Sequence, residues 1–328
     1  MPNPEILITG TGLVPDSTVE YVTSRDYTPR RIRRDDLTED ELIEALDGAF
    51  GYLIGGNETP TDKVFESSTR LRAVAFVGTD YRLYVPGWRR ARSLGMSVVS
   101  TPGANTQSVA EFTILLMLTQ SRSFASVAAS AEQPDSAPPP VGRTVAGKRL
   151  GIIGLGRIGK EVARIARLGL GMEVCYAAPR RATDADAELG IRHCAKSDLL
   201  RWSDVVSLHR PGPAPQEEPE LTAREFALMR PGTLLVNTVH PDLVDPPALL
   251  AAVADRGLRC AFDGRGSGPE WEALTKFGPD RFLAAPLMAY NTTDANETAS
   301  MAAARSVCDI LDLDGRRTAE GEPAGELK

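Results

Sequence analysis

Three histidines, His193, His209 and His240, are the only imidazoles in a chain of 328 residues. A mechanism that moves a proton through an imidazole at neutral pH must use one of them. His240 stands in Asn237-Thr238-Val239-His240-Pro241, just past the strand-like run TLLVN. Any chemistry that needs an imidazole therefore has these three candidates. His209 follows the strand-like run VVSL. His193 precedes a helix and reads as a surface residue.

The sharpest spacing is Gly154-Leu155-Gly156-Arg157-Ile158-Gly159, which follows LGII and opens a helical stretch. Each glycine has a separate task. The first permits a tight turn, the second lets backbone approach a pyrophosphate, and the third lets helix and strand pack closely. Placed between a strand and a helix, the motif predicts dinucleotide binding, with Gly154, Gly156, Arg157, Ile158 and Gly159 lining the loop.

The next strand ends Cys175-Tyr176-Ala177-Ala178-Pro179-Arg180-Arg181. An NAD-type site places a carboxylate there to accept from the ribose hydroxyls. Ala178 removes that carboxylate, and Arg180 and Arg181 add two guanidiniums suited to a 2′-phosphate. The expectation is NADP(H), with NAD less favoured. The four cysteines show no CxxC spacing, and no metal site is expected.

The elements needed to position these groups are legible as an alternation of short apolar runs and helical stretches. Strands are predicted at Glu5–Thr9, Tyr52–Ile54, Ala73–Val77 and Ser97–Val99, then in LGIIG, MEVCYAA, VVSLH, TLLVN, LRCAFD and FLAAP. Helices are predicted at Thr38–Asp47, Ser108–Arg122, Lys160–Leu168, Ala223–Met229 and Pro247–Arg256. Capping boxes open two of them, Thr38 to Glu41 and Thr222 to Glu225. The pattern implies parallel sheets with helices on both faces. The stretch containing Pro138-Pro139-Pro140 reads as a linker or loop, and fraying is expected after Leu313.

A net charge of -7 argues against an extensive nucleic-acid surface. No apolar stretch is long enough to span a bilayer and no targeting signal is visible, so a cytoplasmic protein with a small-molecule substrate is expected.

Several segments together resemble the D-isomer-specific 2-hydroxyacid dehydrogenase family: AFVGTDYR, TPGANTQSVAEFTILLML, GKRLGIIGLGRIGKEVARIARLGLGMEV, SDVVSLHRP and MRPGTLLVNTVHPDLVDPPALLAAV. The resemblance implies a Rossmann cofactor domain, about 101–288, inserted into a flavodoxin-like substrate domain, about 1–100 plus 289–328. The chemistry would lie in the cleft between them, and a homodimer would form through the cofactor domain. It also implies that Gly78 and Thr79 grip a substrate carboxylate and that Asn105 matches the Asn of the PG-x-N segment. Asp263 would lie near the nicotinamide carboxamide, with His209 and Thr238 also beside the cofactor.

Three positions depart from the family pattern. The Arg of its N-T-x-R-G segment is His240, the Glu five residues after Asp263 is Gly268, and the His of its P-H-x segment is Leu287. Leucine transfers no proton and glycine orients no imidazole. The Arg–Ser pair of the third strand is also missing, and Gly55-Gly56-Asn57-Glu58 stands there. His240, on the loop that the resemblance turns toward the nicotinamide, is the candidate proton donor or oxyanion ligand, Arg265 a candidate replacement cation and Tyr290 a candidate phenolic donor. Two functions remain open. One is an NADP(H)-dependent oxidoreductase with an altered catalytic set, acting on a non-standard substrate. The other is an NADP-binding sensor or scaffold that performs no redox turnover.

Overall fold

The computed structural model describes residues 3–129, 140–211 and 218–320. The prolines Pro138 and Pro139 lie outside this range. The chain divides into two compact units, Met1–Asn105 with Asn291–Lys328, and Thr106–Tyr290.

The first unit opens with β1 (Glu5–Thr9), α1 (Asp16–Ser24), β2 (Thr28–Ile32), α2 (Glu39–Leu46) and β3 (Gly51–Ile54). It continues with α3 (Asp62–Ser67), β4 (Ala73–Phe76), α4 (Tyr81–Tyr84), α5 (Trp88–Ser93) and β5 (Ser97–Ser100). The sheet is parallel, in the order β2-β1-β3-β4-β5. Alternate residues of β1 enter different cores: Ile6 and Ile8 pack with Leu53, Ala303 and Val307, whereas Leu7 packs with Leu42, Tyr52 and Phe65. Both faces are covered, which is why the strand reads as a continuous apolar run.

The second unit begins with α6 (Thr106–Ser121) and α7 (Phe124–Ala129), then β6 (Arg149–Ile153) and α8 (Arg157–Arg164), which passes into a π-turn at Ile165–Gly169. Next come β7 (Glu173–Ala177), α9 (Thr183–Leu189), β8 (Arg192–His193), α10 (Lys196–Trp202) and β9 (Val205–Leu208). The rest is α11 (Ala223–Leu228), β10 (Leu234–Asn237), a 3-10 turn at Pro241–Leu243, α12 (Pro246–Arg256), β11 (Arg259–Asp263), α13 (Pro269–Thr275) and β12 (Phe282–Ala285). The order β12-β11-β10-β9-β6-β7-β8 is that of a doubly wound dinucleotide-binding sheet with one added edge strand. The chain then returns to the first unit as α14 (Thr293–Glu320).

Sequence and structure differ in places with identifiable causes. The edge strand β2, sequence TPRRI, has no apolar alternation. It is held by ladder hydrogen bonds and by Arg30 on Glu5 at 2.6 Å. The helix α14 runs to Glu320, and the remainder of the tail for which fraying is expected, 321–328, lies outside the described residues. Asp312 accepts from Arg25 at 2.6 Å and from the Tyr27 hydroxyl at 2.5 Å, tying that turn to the sheet domain. The helix expected to reach Leu168 as a regular α-helix changes hydrogen-bond pattern at Ile165. Both capping boxes form. No helix among the described residues is long and apolar enough to cross a membrane.

Candidate dinucleotide and catalytic site

The glycine loop joins β6 to α8, and its three glycines are required for different reasons. Gly154 has φ +94°, and a Cβ there would lie 2.7 Å from the backbone of His209 and Arg210. A Cβ on Gly159 would lie 2.3 Å from the Gly154 carbonyl oxygen, so the helix packs directly on the turn. Gly156 differs, because a Cβ there would meet nothing within 4 Å. The protein itself does not need glycine at Gly156; a ligand approaching the backbone would. Gly156 is also the N-cap of α8 and supplies no side-chain cap, so the amide groups of the first turn point to an exposed surface. The cradle fits a pyrophosphate. Arg157 is exposed beside it, and Ile158 packs into the core below.

The loop after β7 is fixed at both ends. His193 Nε2 lies 3.0 Å from the Ala178 carbonyl oxygen, and its ring packs on Tyr176 with centroids 5.1 Å apart. His193 is thus half-buried and bracing, not the bland surface residue expected. The Tyr176 hydroxyl donates to Asp186 at 2.8 Å and accepts from the Ala182 N–H at 2.8 Å. Arg181 Nε donates to the other Asp186 oxygen at 2.6 Å. Asp186 is held below the usual carboxylate range by Arg181 and Tyr176, against the opposing effect of its burial. Asp186 lies in α9, beyond the run in which the sequence suggested a cofactor site, and only the fold brings it to Arg181. Arg180, between the two fixed ends, is exposed, and no partner for it is seen among the described residues.

His209 is buried, with Nε2 2.8 Å from Ser207 Oγ and Nδ1 without a hydrogen-bond partner. Burial pushes its pKa down to about 3, so the ring is neutral at pH 7. Thr238 is buried, with its hydroxyl 3.0 Å from that of Thr113. Asp263 ends β11, and its two oxygens accept the Met288 N–H at 2.8 Å and the Ala289 N–H at 2.9 Å. It therefore fixes the loop that carries Leu287 and leads to Tyr290. Burial raises its pKa, and those two N–H groups oppose the rise.

His240 caps the 3-10 turn, with Nδ1 accepting from the Asp242 N–H at 3.3 Å. Asp242 Oδ2 lies 3.4 Å from the same nitrogen. Asn237 Nδ2 donates to the His240 carbonyl at 2.9 Å, which ties the loop back to β10. A ring that accepts at Nδ1 carries its neutral-state proton on Nε2, away from the turn. His240 is thus a presented N–H donor.

In the same unit, Gly268 has φ +114° and ψ 172°, a conformation open essentially to glycine alone. Leu287 is 51% exposed and Met288 43%. Arg265 is exposed in the loop after β11, and Tyr290 is half-buried at the end of the loop pinned by Asp263.

The first unit gathers Gly78, Thr79 and Asn105. The Gly78 carbonyl accepts from the Thr101 N–H at 2.8 Å, and Thr79 Oγ1 donates to Asn105 Oδ1 at 3.1 Å. A Cβ on Gly78 would lie 2.3 Å from the Phe76 ring. Glu58 is the surprise of this unit. It is buried, accepts from the Thr9 hydroxyl and from Tyr52 at 2.8 Å, and leaves Oε2 unpartnered. Among the described residues, no group of three or more His, Cys, Asp and Glu side chains is arranged to hold a metal ion.

A doubly wound sheet with this glycine cradle defines a dinucleotide-binding α/β protein. The family model for the NAD-binding domain of D-isomer specific 2-hydroxyacid dehydrogenases matches residues 114–269. D-3-phosphoglycerate dehydrogenase of Escherichia coli strain K12 is 30% identical over 289 residues, covering 85% of this chain and 68% of that protein. Glyoxylate/hydroxypyruvate reductase B of Citrobacter koseri is 30% identical over 229 residues, covering 68% and 69%. The solved pyruvate reductase of Chlamydomonas reinhardtii superposes with a TM-score of 0.83 over 99% of both chains, at 18% identity. The chain belongs to the D-isomer specific 2-hydroxyacid dehydrogenase family, whose members are nicotinamide-dependent oxidoreductases.

Proposed function

We propose that the protein is an NADP(H)-dependent oxidoreductase acting on a carbonyl or hydroxyl carbon of a substrate other than a simple 2-hydroxy acid. The observation that carries this reading is the pairing of an open glycine cradle at Gly156 with a strand end that lacks a carboxylate at Ala178 and presents Arg180. The nicotinamide, when bound, supplies or accepts the hydride. The chain's own residues bind and orient. Backbone amides of Gly156, Arg157, Ile158 and Gly159 hold the pyrophosphate. Arg180 and the Asp186-braced Arg181 meet the 2′-phosphate. Neutral His209, with Thr238 and Asp263, shapes the floor. His240 hydrogen-bonds from Nε2–H to the developing oxyanion, and the proton that completes the hydroxyl comes from solvent. Gly78, Thr79 and Asn105 recognise the polar end of the substrate, with Arg265 and Tyr290 as further contacts. The protein is proposed to act in the cytoplasm as a homodimer.

The test is a carbonyl-substrate screen with NADPH on wild type and His240→Ala. A fall of about 10²–10⁴ in kcat on the best substrate supports the donor role. Unchanged turnover removes it.

One observation favours a second reading, an NADP-binding sensor or scaffold. The Gly268 backbone is one that glutamate would strain, and on the sequence reading Gly268 and Leu287 stand where the resemblance implies a Glu and a His. Tight NADPH binding with no oxidation by any carbonyl offered would select it.

A further inference from the structure

Glu58 lies between β3 and α3 and is 4% exposed. Its two carboxyl oxygens are served unequally. Oε1 accepts from the Thr9 hydroxyl of β1 and from the Tyr52 hydroxyl of β3, the latter at 2.8 Å. Oε2 is buried without a hydrogen-bond partner. The titratable groups facing Glu58 are Tyr52, from β3, and Asp35, from the loop after β2, and neither brings a positive charge. Lys63 of α3 is paired with Glu39 and Asp40, and Arg34, beside Asp35, with Asp36 and Glu41. Ionising Glu58 would therefore bury a charge with one oxygen unpaired, which is costly.

Oε2 is covered by backbone. A Cβ on Gly56 would collide with Oε2, and the same Cβ would lie 2.9 Å from Asp35 Cα. One point at Gly56 thus touches both the carboxyl group and the loop after β2. The two loops are joined there, because the Asn57 N–H donates to the Asp35 carbonyl at 2.6 Å. The Asp35 carboxylate accepts from the Thr11 N–H at 2.8 Å and from the Thr11 hydroxyl, and the Gly10 N–H donates to the Arg34 carbonyl at 3.0 Å. The ends of β1, β2 and β3 therefore form one assembly above Glu58. Asn57 is exposed and Gly56 half-buried, so parting the loops at Gly56 would let water reach Oε2.

We propose that Glu58 is a proton-operated latch: as a neutral acid it holds the loop 55–57 against Asp35, and parting of the two loops releases its proton to solvent. The closed form carries the acid, the open form a hydrated carboxylate, and one proton leaves per opening. The loop follows β3, next to β4, whose end leads to Gly78 and Thr79. The latch thus sets the order of the edge proposed to recognise substrate, and only this consequence rests on that proposal.

The sign follows from linkage. In the open form Glu58 has the ordinary value of about 4.3, whereas burial raises it in the closed form. The latch is therefore tightest below about pH 4.3, weakens by up to about tenfold per pH unit above it, and levels off beyond the closed-state value.

The test is amide hydrogen exchange of the whole protein, with each rate divided by its intrinsic rate at that pH. Asn57 reports the latch, and Ile8 in the core of β1 reports global opening. Relative to Ile8, wild-type protection at Asn57 falls by at least about tenfold between about pH 5 and about pH 8. Glu58→Gln keeps an acceptor for Thr9 and Tyr52 but has no proton to lose, and it abolishes the fall. Tyr52→Phe removes one donor to the carboxylate and moves the levelling-off to higher pH. A flat wild-type profile, the same fall in Glu58→Gln, or an unmoved profile in Tyr52→Phe overturns the proposal.

Discussion

His240 has one ring nitrogen occupied by its own turn, which leaves Nε2 as the proposed donor. On the proposed reading Arg180 acts at the cofactor end, and replacing it by Ala removes a charge-assisted contact worth about 1.5–3 kcal/mol, so the Kd for NADPH is expected to rise about 10- to 100-fold. The Kd for NADH stays the same, and fluorescence titration of both nucleotides checks it. Gly156→Ala separates binding from folding. Its Cβ meets nothing in the protein, so Tm stays within the error of a melt while dinucleotide affinity collapses. Gly159→Ala drives a Cβ to 2.3 Å from a carbonyl oxygen, so both fall. The glycine turn was legible because it depends on local spacing, as the close approaches at Gly154 and Gly159 show. The bracing by His193 and the hold of Asp186 on Arg181 were not, because these contacts span 15 and 5 residues and depend on β8 and α9 closing over the strand end.

Buried charge explains how the strand ends respond to pH. The folded pKa of His209, about 3, lies below the roughly 6.5 of an unfolded histidine. The unfolded chain therefore takes up a proton first as the pH falls. This stability is fully present above pH 6.5 and is lost toward pH 3, at no more than about 1.4 kcal/mol per pH unit. Urea melts of His209→Gln are expected to show a shallower acid limb between pH 6.5 and 4. Glu58 has the opposite sign. Burial raises its pKa, so the fold favours the protonated acid and loses that advantage as the pH rises through the folded value. Glu58→Gln keeps an acceptor for Thr9 and Tyr52, and is expected to melt higher than wild type at pH 7.5 with little difference at pH 4. The loop holding Gly268 is committed to its glycine. Gly268→Glu is expected to cost about 1–3 kcal/mol in stability, because a side chain there comes with a strained backbone. Among the elements, the strongly apolar strands and both capping boxes were readable. β2 and β8 were not, because one is an arginine-rich edge and the other spans two residues.

Two units built on the same doubly wound plan were expected from the alternation of strand and helix along 328 residues, and two parallel sheets are found. Family and cofactor class follow from long-range pattern, which sequence preserves well. Substrate chemistry depends on a few side chains, and the sequence reading places His240, Gly268 and Leu287 where the resemblance implies other residues, so the substrate is not legible from the family. The account's central claim is that this departure accompanies an NADP-adapted site. The most direct measurement is the affinity of the whole protein for NADPH against NADH, in wild type and in Arg180→Ala. The account predicts that wild type binds NADPH at least tenfold more tightly and that the variant loses this preference. Tighter binding of NADH by wild type, or a preference for NADPH that survives Arg180→Ala, would contradict it.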